Sequence, residues 1–196
     1  MIIIGLTGAK GSGKDTVADL LVAQYQSQYK TVHRLAFADP IKKMVQHIFD
    51  LNPNSADSLD QYDKFKRSDV EFNLAGYGRQ TVPGRHVVRE IGMLMRNYDE
   101  KQFNKYIEDR ITSVAFTTNQ VFVITDLRFD NEYTLLRRWN AHIVKVSRPG
   151  YEYDGHITER GFDDQLVDHV VNNNGTKLDL TNAVQDLINE INKEKK

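Results

Sequence analysis

The sequence predicts an α/β fold built on a parallel sheet, and three observations carry that prediction. A continuous apolar run, Met1 to Leu6, is Ile-rich and short, and reads as a strand buried on both faces. Gly8, Gly11 and Gly13 end it, and from Lys14 the spacing turns helical through Val17, Leu20, Leu21 and Tyr25. From there on, strand-length apolar runs alternate with helical patterns, the order that a parallel sheet wound by right-handed crossovers requires.

The elements follow in turn. Thr31 to Ala36 reads as a second strand, and Asp39-Pro40 as a helix start, with Asp as N-cap and Pro at the first helical position. Ile41, Met44, Val45, Ile48 and Phe49 supply that helix's apolar face. Between Asp50 and Gly84 apolar density falls, and the stretch reads as an irregular insertion, too long for a simple connector. Two helices are expected next, over His86 to Tyr98 and Lys101 to Ala115. Val121 to Ile124 is a third strand with Thr125-Asp126 at its end, followed by a helix through Tyr133, Leu136, Arg137 and Trp139. Ile143 to Val146 and Leu166 to Val171 complete five strands. Arg148 to Gln165, between them, is polar, glycine-containing and aperiodic. The last helix carries Leu180, Val184, Leu187, Ile188 and Ile191. No internal repeat or linker divides the chain, so 1–196 reads as one domain.

Composition narrows the function classes. A chain of 196 residues can bury about 70% of the surface its unfolded form exposes, enough for a core without staples. Lys and Arg number 26 against 27 Asp and Glu, a net charge of −1, which argues against a broad footprint on duplex nucleic acid. With no Cys there are no disulfides and no thiolate zinc or iron–sulfur sites, and the N-terminus carries no signal-peptide pattern, so a cytoplasmic protein is expected. No apolar run approaches the roughly 18 residues of a membrane span.

Gly8 to Thr16, GAKGSGKDT, nearly fits the phosphate-loop pattern G-x-x-x-x-G-K-[ST]. Glycines let backbone N–H groups converge on phosphate oxygens, and the following helix offers its positive end to the same anion. Lys14 can then reach the β- and γ-phosphates. A strand before the loop and a helix after it form the context that separates this motif from a chance glycine turn. Asp15 stands where Ser or Thr is usual, with Thr16 one place later. A carboxylate beside phosphates needs a counter-charge, and Asp15 with Thr16 is read as holding Mg²⁺, directly or through water. The plainer alternative is that Asp15 favours the helix N-terminus.

Asp126, at a strand's carboxyl end and followed by Arg128, puts a carboxylate and a guanidinium at the edge of the sheet where open α/β folds bind ligands. Glu132 either joins them on the acceptor side or is a solvated helix residue. Arg85, Arg89 and Arg96, four and seven residues apart, fall on one helical face, and Arg148 opens the aperiodic segment. Such a stripe is often merely solvated. Beside a phosphate loop, these bidentate anion grips favour a second phosphate site.

Taken in chain order, GAKGSGKDT, Leu35 to Lys42, Arg85 with Gly92, Asp126-Leu127-Arg128 with Glu132, Arg148-Pro149-Gly150, His156 to Glu159 and Asn172 to Thr176 resemble the phage-type deoxynucleoside monophosphate kinases. More distantly the chain is similar to other nucleoside monophosphate kinases and to dephospho-coenzyme A kinase. The resemblance implies a three-layer P-loop fold: a five-stranded parallel sheet, helices on both faces, an acceptor-binding insertion at about 50–84 and a lid at about 148–165. It implies ATP and Mg²⁺ on Gly11, Ser12, Gly13, Lys14, Asp15 and Thr16, with Lys10 facing the acceptor phosphate. It further implies that Ala36, Lys42, Lys64, Arg85, Arg96 and Arg128 line a deoxynucleoside monophosphate site, that Arg148 enters from the lid, and that Asn173, Gly175 and Thr176 lie near the adenine. A homodimer is also implied, and the exposed face of the Arg85 to Ala115 helices is the candidate seam.

Transfer to a phosphate acceptor needs no strong base, since the attacking oxygen is already ionised, so catalysis reduces to positioning and charge neutralisation. Lys14, Arg128, Arg148 and Mg²⁺ are expected to offset the charge, with Asp126 among the catalytic groups. Gly150, Gly155 and Gly161 would let the lid move and expel water. His156 either contacts nucleotide or is a plain loop histidine. Two other readings compete: a kinase of another phosphorylated acceptor, dephospho-coenzyme A being the nearest, and a nucleotide-dependent switch. The switch would want an Asn-Lys-x-Asp motif, whose last Asp is missing from Asn192-Lys193-Glu194-Lys195.

Overall fold

The computed structural model describes residues 1–51, 58–74, 78–114, 118–151, 162 and 164–194. The chain divides into two compact units, one of Met1–Phe37 with Asn104–Lys196 and one of Ala38–Phe103.

The first unit is built on a five-stranded sheet of β1 (Ile2–Thr7), β2 (Thr31–Leu35), β5 (Gln120–Ile124), β6 (His142–Ser147) and β7 (His169–Asn172), in the order β2-β5-β1-β6-β7. Every pairing is parallel, with Ile4 opposite Val123 on one side of β1 and Leu6 opposite Val144 on the other. Central β1 and β5 are buried at every position, which explains why they read as continuous apolar runs rather than alternating ones.

One face of the sheet (Ile2, Ile4, Leu6, Val121, Val123, Val144, Val146, Val171) packs with Val17, Ala18, Leu21 and Tyr25 of α1 (Lys14–Ser27) and with Leu180, Val184, Leu187, Ile188 and Ile191 of α7 (Lys177–Glu194). Residues of opposite parity face a second layer. A Cβ at Gly5 would stand 2.6 Å from Leu136 of α6 (Asp130–Arg138). Helices therefore cover both faces, the three-layer arrangement expected from the sequence. Burial without a partner raises the Tyr25 hydroxyl to about 12 in pKa.

The second unit holds α2 (Asp39–Ile48), α3 (Ser58–Arg67), the antiparallel pair β3 (Asp69–Leu74) and β4 (Gly78–Pro83), and α4 (Gly84–Tyr98). Phe49 packs on Phe65 at 4.6 Å and on Phe72 at 6.2 Å between ring centroids. The stretch read as irregular thus contains a helix and a hairpin. The hairpin escaped notice because all of β4 but Val82 is exposed, so no apolar alternation marks it. Helix α2 starts one residue earlier than expected, with Ala38 at the N-cap and Asp39 paired to Lys42 in the first turn. The expected helix after α4 is α5 (Gln102–Thr112), whose Ile107 and Ile111 are buried.

The expected last strand is shorter than its apolar run suggested. Asp164–Leu166 is a 3-10 turn, and β7 begins only at His169. Asp168 governs that entry. Its N–H donates to the Ile143 carbonyl at 2.8 Å, and its carboxylate accepts the Ile143 N–H and a two-contact grip from Arg137 Nη1. Burial alone would raise the Asp168 carboxyl, but the Arg137 and Ile143 hydrogen bonds outweigh it and hold it below the usual carboxylate value. Among the described residues no helix is long and apolar enough to cross a membrane.

Candidate active site

Parallel strands send all their carboxyl ends to one edge of a sheet, so the residues following each strand gather there. Here these are Gly8 to Lys14 after β1, Ala36 and Phe37 after β2, Thr125 to Arg128 after β5, Arg148 after β6 and Asn173 after β7. The phosphate loop leaves the central strand, with β5 on one side and β6 on the other, the position at which doubly wound sheets open a ligand crevice.

The loop is held from within. Lys14 Nζ donates to the carbonyls of Gly8 and Ala9, each at 2.8 Å, placing its ammonium inside the loop. Gly13, the N-cap of α1, has φ 100°, and a Cβ there would meet Asn173 Nδ2 at 2.3 Å. Asn173 Nδ2 itself donates to the Ser12 carbonyl at 2.9 Å. A Cβ on Gly11 would meet the Tyr151 ring at 2.5 Å, and the Arg148 guanidinium lies over that same ring at 4.8 Å. Ser12 Oγ is buried and has no hydrogen-bond partner. A cradle that only glycines can line, an α-helix N-terminus, an ammonium and an orphaned buried hydroxyl together fit a polyphosphate.

Asn173 Nδ2 ties β7 to the loop, so Asn173→Ala should raise the KM for ATP about tenfold, the value of roughly one neutral hydrogen bond, with a smaller change in kcat. Steady-state kinetics checks it, and an unchanged KM would free Asn173 of any positioning role.

The counter-charge for Asp15 is visible. Its exposed carboxylate accepts from Arg34 Nη2 at 2.7 Å, and Arg34 also grips Asp19, one helical turn on. Arg34 was not singled out in the sequence, where nothing links a β2 residue to α1 carboxylates 15 and 19 positions away. A metal role for Asp15 requires this pair to open. Thr16 is exposed on the same first turn.

At the end of β5, Asp126 Oδ1 accepts the Phe37 N–H at 2.7 Å, tying β5 to the exit of β2, where Ala36 is buried. Glu132 is neither solvated nor distant. It is buried, and its Oε2 accepts the N–H groups of Arg128 at 2.9 Å and Phe129 at 3.2 Å. This is the reach-back half of a capping box at the start of α6, and it fixes the backbone that carries Arg128.

Other expected site residues stand as follows. Lys10 is exposed on the loop. Thr176 is the N-cap of α7: its N–H and hydroxyl both donate to Asp179, whose carboxyl is held low by those two bonds. Gly175 lies beside it, a Cβ there falling 2.6 Å from Asp179 Oδ2. In the second unit Lys42 pairs with Asp39 at 2.7 Å, Lys64 is exposed, and Arg85, Arg89 and Arg96 are half-buried on α4, with Arg96 over the Phe103 ring at 4.7 Å. Gly155, His156 and Gly161, with most of the expected lid, lie outside the described residues. Tyr151 is the residue that sequence reasoning missed closest to the loop. Its one signal was an aromatic next to Arg148-Pro149-Gly150.

The chain is similar to known proteins in sequence and in fold. The family described as deoxynucleotide monophosphate kinase matches residues 88–184. A deoxynucleoside-5′-monophosphate kinase of Escherichia phage T5 is 23% identical over 238 aligned positions, covering 92% of this chain and 95% of its own. An Acanthamoeba polyphaga mimivirus protein assigned by name to deoxynucleotide monophosphate kinase is 28% identical over 159 residues, 79% of this chain and 78% of its own. The dephospho-CoA kinase of Campylobacter jejuni superposes with a TM-score of 0.52 over 99% of this chain and 98% of its own at 13% identity, which is a likeness of fold.

Proposed function

We infer, from a chain that is a relative of the deoxynucleotide monophosphate kinases, that this protein phosphorylates deoxynucleoside 5′-monophosphates to diphosphates with ATP. The observation that carries the reading is the cradle at the carboxyl end of β1, where Lys14, the glycines, Tyr151 under Arg148, and Asn173 meet.

ATP with Mg²⁺ supplies an activated phosphoryl group. The chain's own work is to hold and to neutralise. Backbone N–H groups of Gly11 to Lys14 and the start of α1 bind phosphate oxygens, and Lys14 places a full positive charge among them. Arg128, on a backbone pinned by Glu132, and Arg148, steadied on Tyr151, add two guanidiniums that offset charge building between donor and acceptor. Asp126 holds the β2 exit in register with β5. Thr16 and Asp15 are the residues proposed for Mg²⁺, and Asn173, Gly175 and Thr176 those proposed near the adenine.

Lys10, Ala36, Lys42, Lys64, Arg85, Arg89, Arg96 and Arg128 are proposed for the acceptor, the arginines gripping its phosphate bidentately. Residues 148–165 are proposed as the lid, the cytoplasm as the location, and α4, where Leu94 and Tyr98 are exposed, as part of a homodimer seam that sedimentation equilibrium tests.

ADP release from ATP, with dGMP, dTMP, dCMP, dAMP and dephospho-coenzyme A offered separately, tests the assignment. At least one deoxynucleotide should stimulate release and dephospho-coenzyme A should not. Stimulation by none of the deoxynucleotides would overturn it.

A further inference from the structure

We infer that His142, His169 and Glu194 form a binding site for a zinc-class divalent transition-metal ion at the amino edge of the sheet, the edge opposite the phosphate loop. The sheet's register assembles it. His142 and His169 open β6 and β7, and His169 pairs with Val144, two residues beyond His142. Paired residues and i, i+2 residues share a face, so both imidazoles lie on the face of Val144, the one covered by α7. The last turns of α7 bring Glu190 and Glu194, four apart, to that place.

One ligand atom from each of His142, His169 and Glu194 lies within 4.8 Å of the others. Tetrahedral ligands about 2.1 Å from zinc stand about 3.4 Å apart, so the three need to draw in by little more than an ångström. Glu194, half-exposed on the end of a helix, has the rotamer freedom to do it. Its Oε2 is already 3.3 Å from His142 Nδ1.

The second, independent observation is His169. Its side chain is only 9% exposed, its Nδ1 lies 3.3 Å from Glu190 Oε2, and its Nε2 is buried with no hydrogen-bond partner. A carboxylate on one ring nitrogen fixes the proton there and leaves the other as a lone pair, the tautomer in which protein imidazoles bind metals. Buried polar atoms are rarely left unpaired, and a metal ion would satisfy this one.

Two imidazoles and one carboxylate form a borderline donor set that suits zinc, whereas calcium and magnesium want oxygen ligands. Access is open through a hollow of about 510 Å³ lined by Ile2, Arg138, Trp139, His142 and Glu194 among others, which leaves room for water as a fourth ligand. The charge of Arg138 there is offset by Glu108 at 3.1 Å. The six residues of β6 separate this place from the catalytic edge by about 16 Å. The ion would act as a staple joining β6, β7 and the end of α7 in a chain without cysteine, whose absence rules out thiolate sites only.

Zinc titration of the full, untagged, chelator-stripped chain against a chromophoric chelator tests the site, with cobalt as a spectroscopic probe. One Zn²⁺ per chain should bind in the presence of excess Mg²⁺, and Co²⁺ should show tetrahedral visible absorption. His142→Ala and His169→Ala should each abolish that stoichiometric uptake, and Glu190→Gln should weaken it about 10–100-fold through the second shell. His33→Ala should leave it unchanged. Should either alanine variant fail to fold, Glu194→Gln with the cobalt spectrum decides the matter. No stoichiometric uptake by the wild-type chain, or uptake that survives loss of the three ligands, would overturn the site.

Discussion

Lys14→Ala should abolish phosphoryl transfer while leaving the fold in place. The Lys14 ammonium is fixed inside the loop by two carbonyls at 2.8 Å, so it meets the phosphates without first being ordered. Removing one preorganised charge-stabilising donor typically costs about 10² to 10³ in kcat, and this donor carries a full charge, so the loss should reach at least that range. The fold should tolerate the change, because Lys14 is the first residue of α1, lies outside the helix's buried face and Ala is the best helix former. Steady-state turnover and thermal unfolding separate the two effects. Retained activity would remove the loop from the mechanism, and lost activity with a collapsed melting transition would show only that Lys14 holds the loop together.

Arg148→Ala should lower kcat by about 10³ to 10⁵, the range seen when an arginine aimed at a transferring phosphoryl is lost, and should change ATP binding far less. Arg148 is exposed at the end of β6, so nothing in the core depends on it. Its one described aromatic contact, at 4.8 Å, rests it on the Tyr151 ring, the same ring that a Cβ on Gly11 would meet. Arg148→Lys should not restore the rate, since a point charge lacks both the fork and the planar face that stacks on the ring. Single-turnover rates alongside equilibrium ATP binding make the measurement, and an unchanged kcat would take Arg148 out of the reaction.

What was legible in the sequence was what local pattern encodes. Central β1 reads plainly because burial on both faces makes it apolar from Ile2 to Leu6, and α1 because its face repeats at helical spacing up to the buried Tyr25. The loop between them announces itself through its glycines and lysine. The β3–β4 hairpin was hidden because its second strand is exposed and leaves no alternation. Glu132 was ambiguous because capping depends on a backbone bend, which side-chain chemistry does not record. Arg34 and Tyr151 escaped, and the tie from Asn173 to the loop could not be read, for one shared reason: each acts on a residue brought close only by tertiary structure, Asp15, Gly11 and Ser12 respectively. His142, His169 and Glu194, spread over more than fifty positions, meet only because β6 pairs with β7 beneath α7.

Transfer of γ-phosphate label from ATP to a deoxynucleoside monophosphate, with the products separated, tests the central claim most directly. The label should appear in the deoxynucleoside diphosphate, and Lys14→Ala should not produce it. Label found only as inorganic phosphate, whichever deoxynucleotide is supplied, would contradict the assignment.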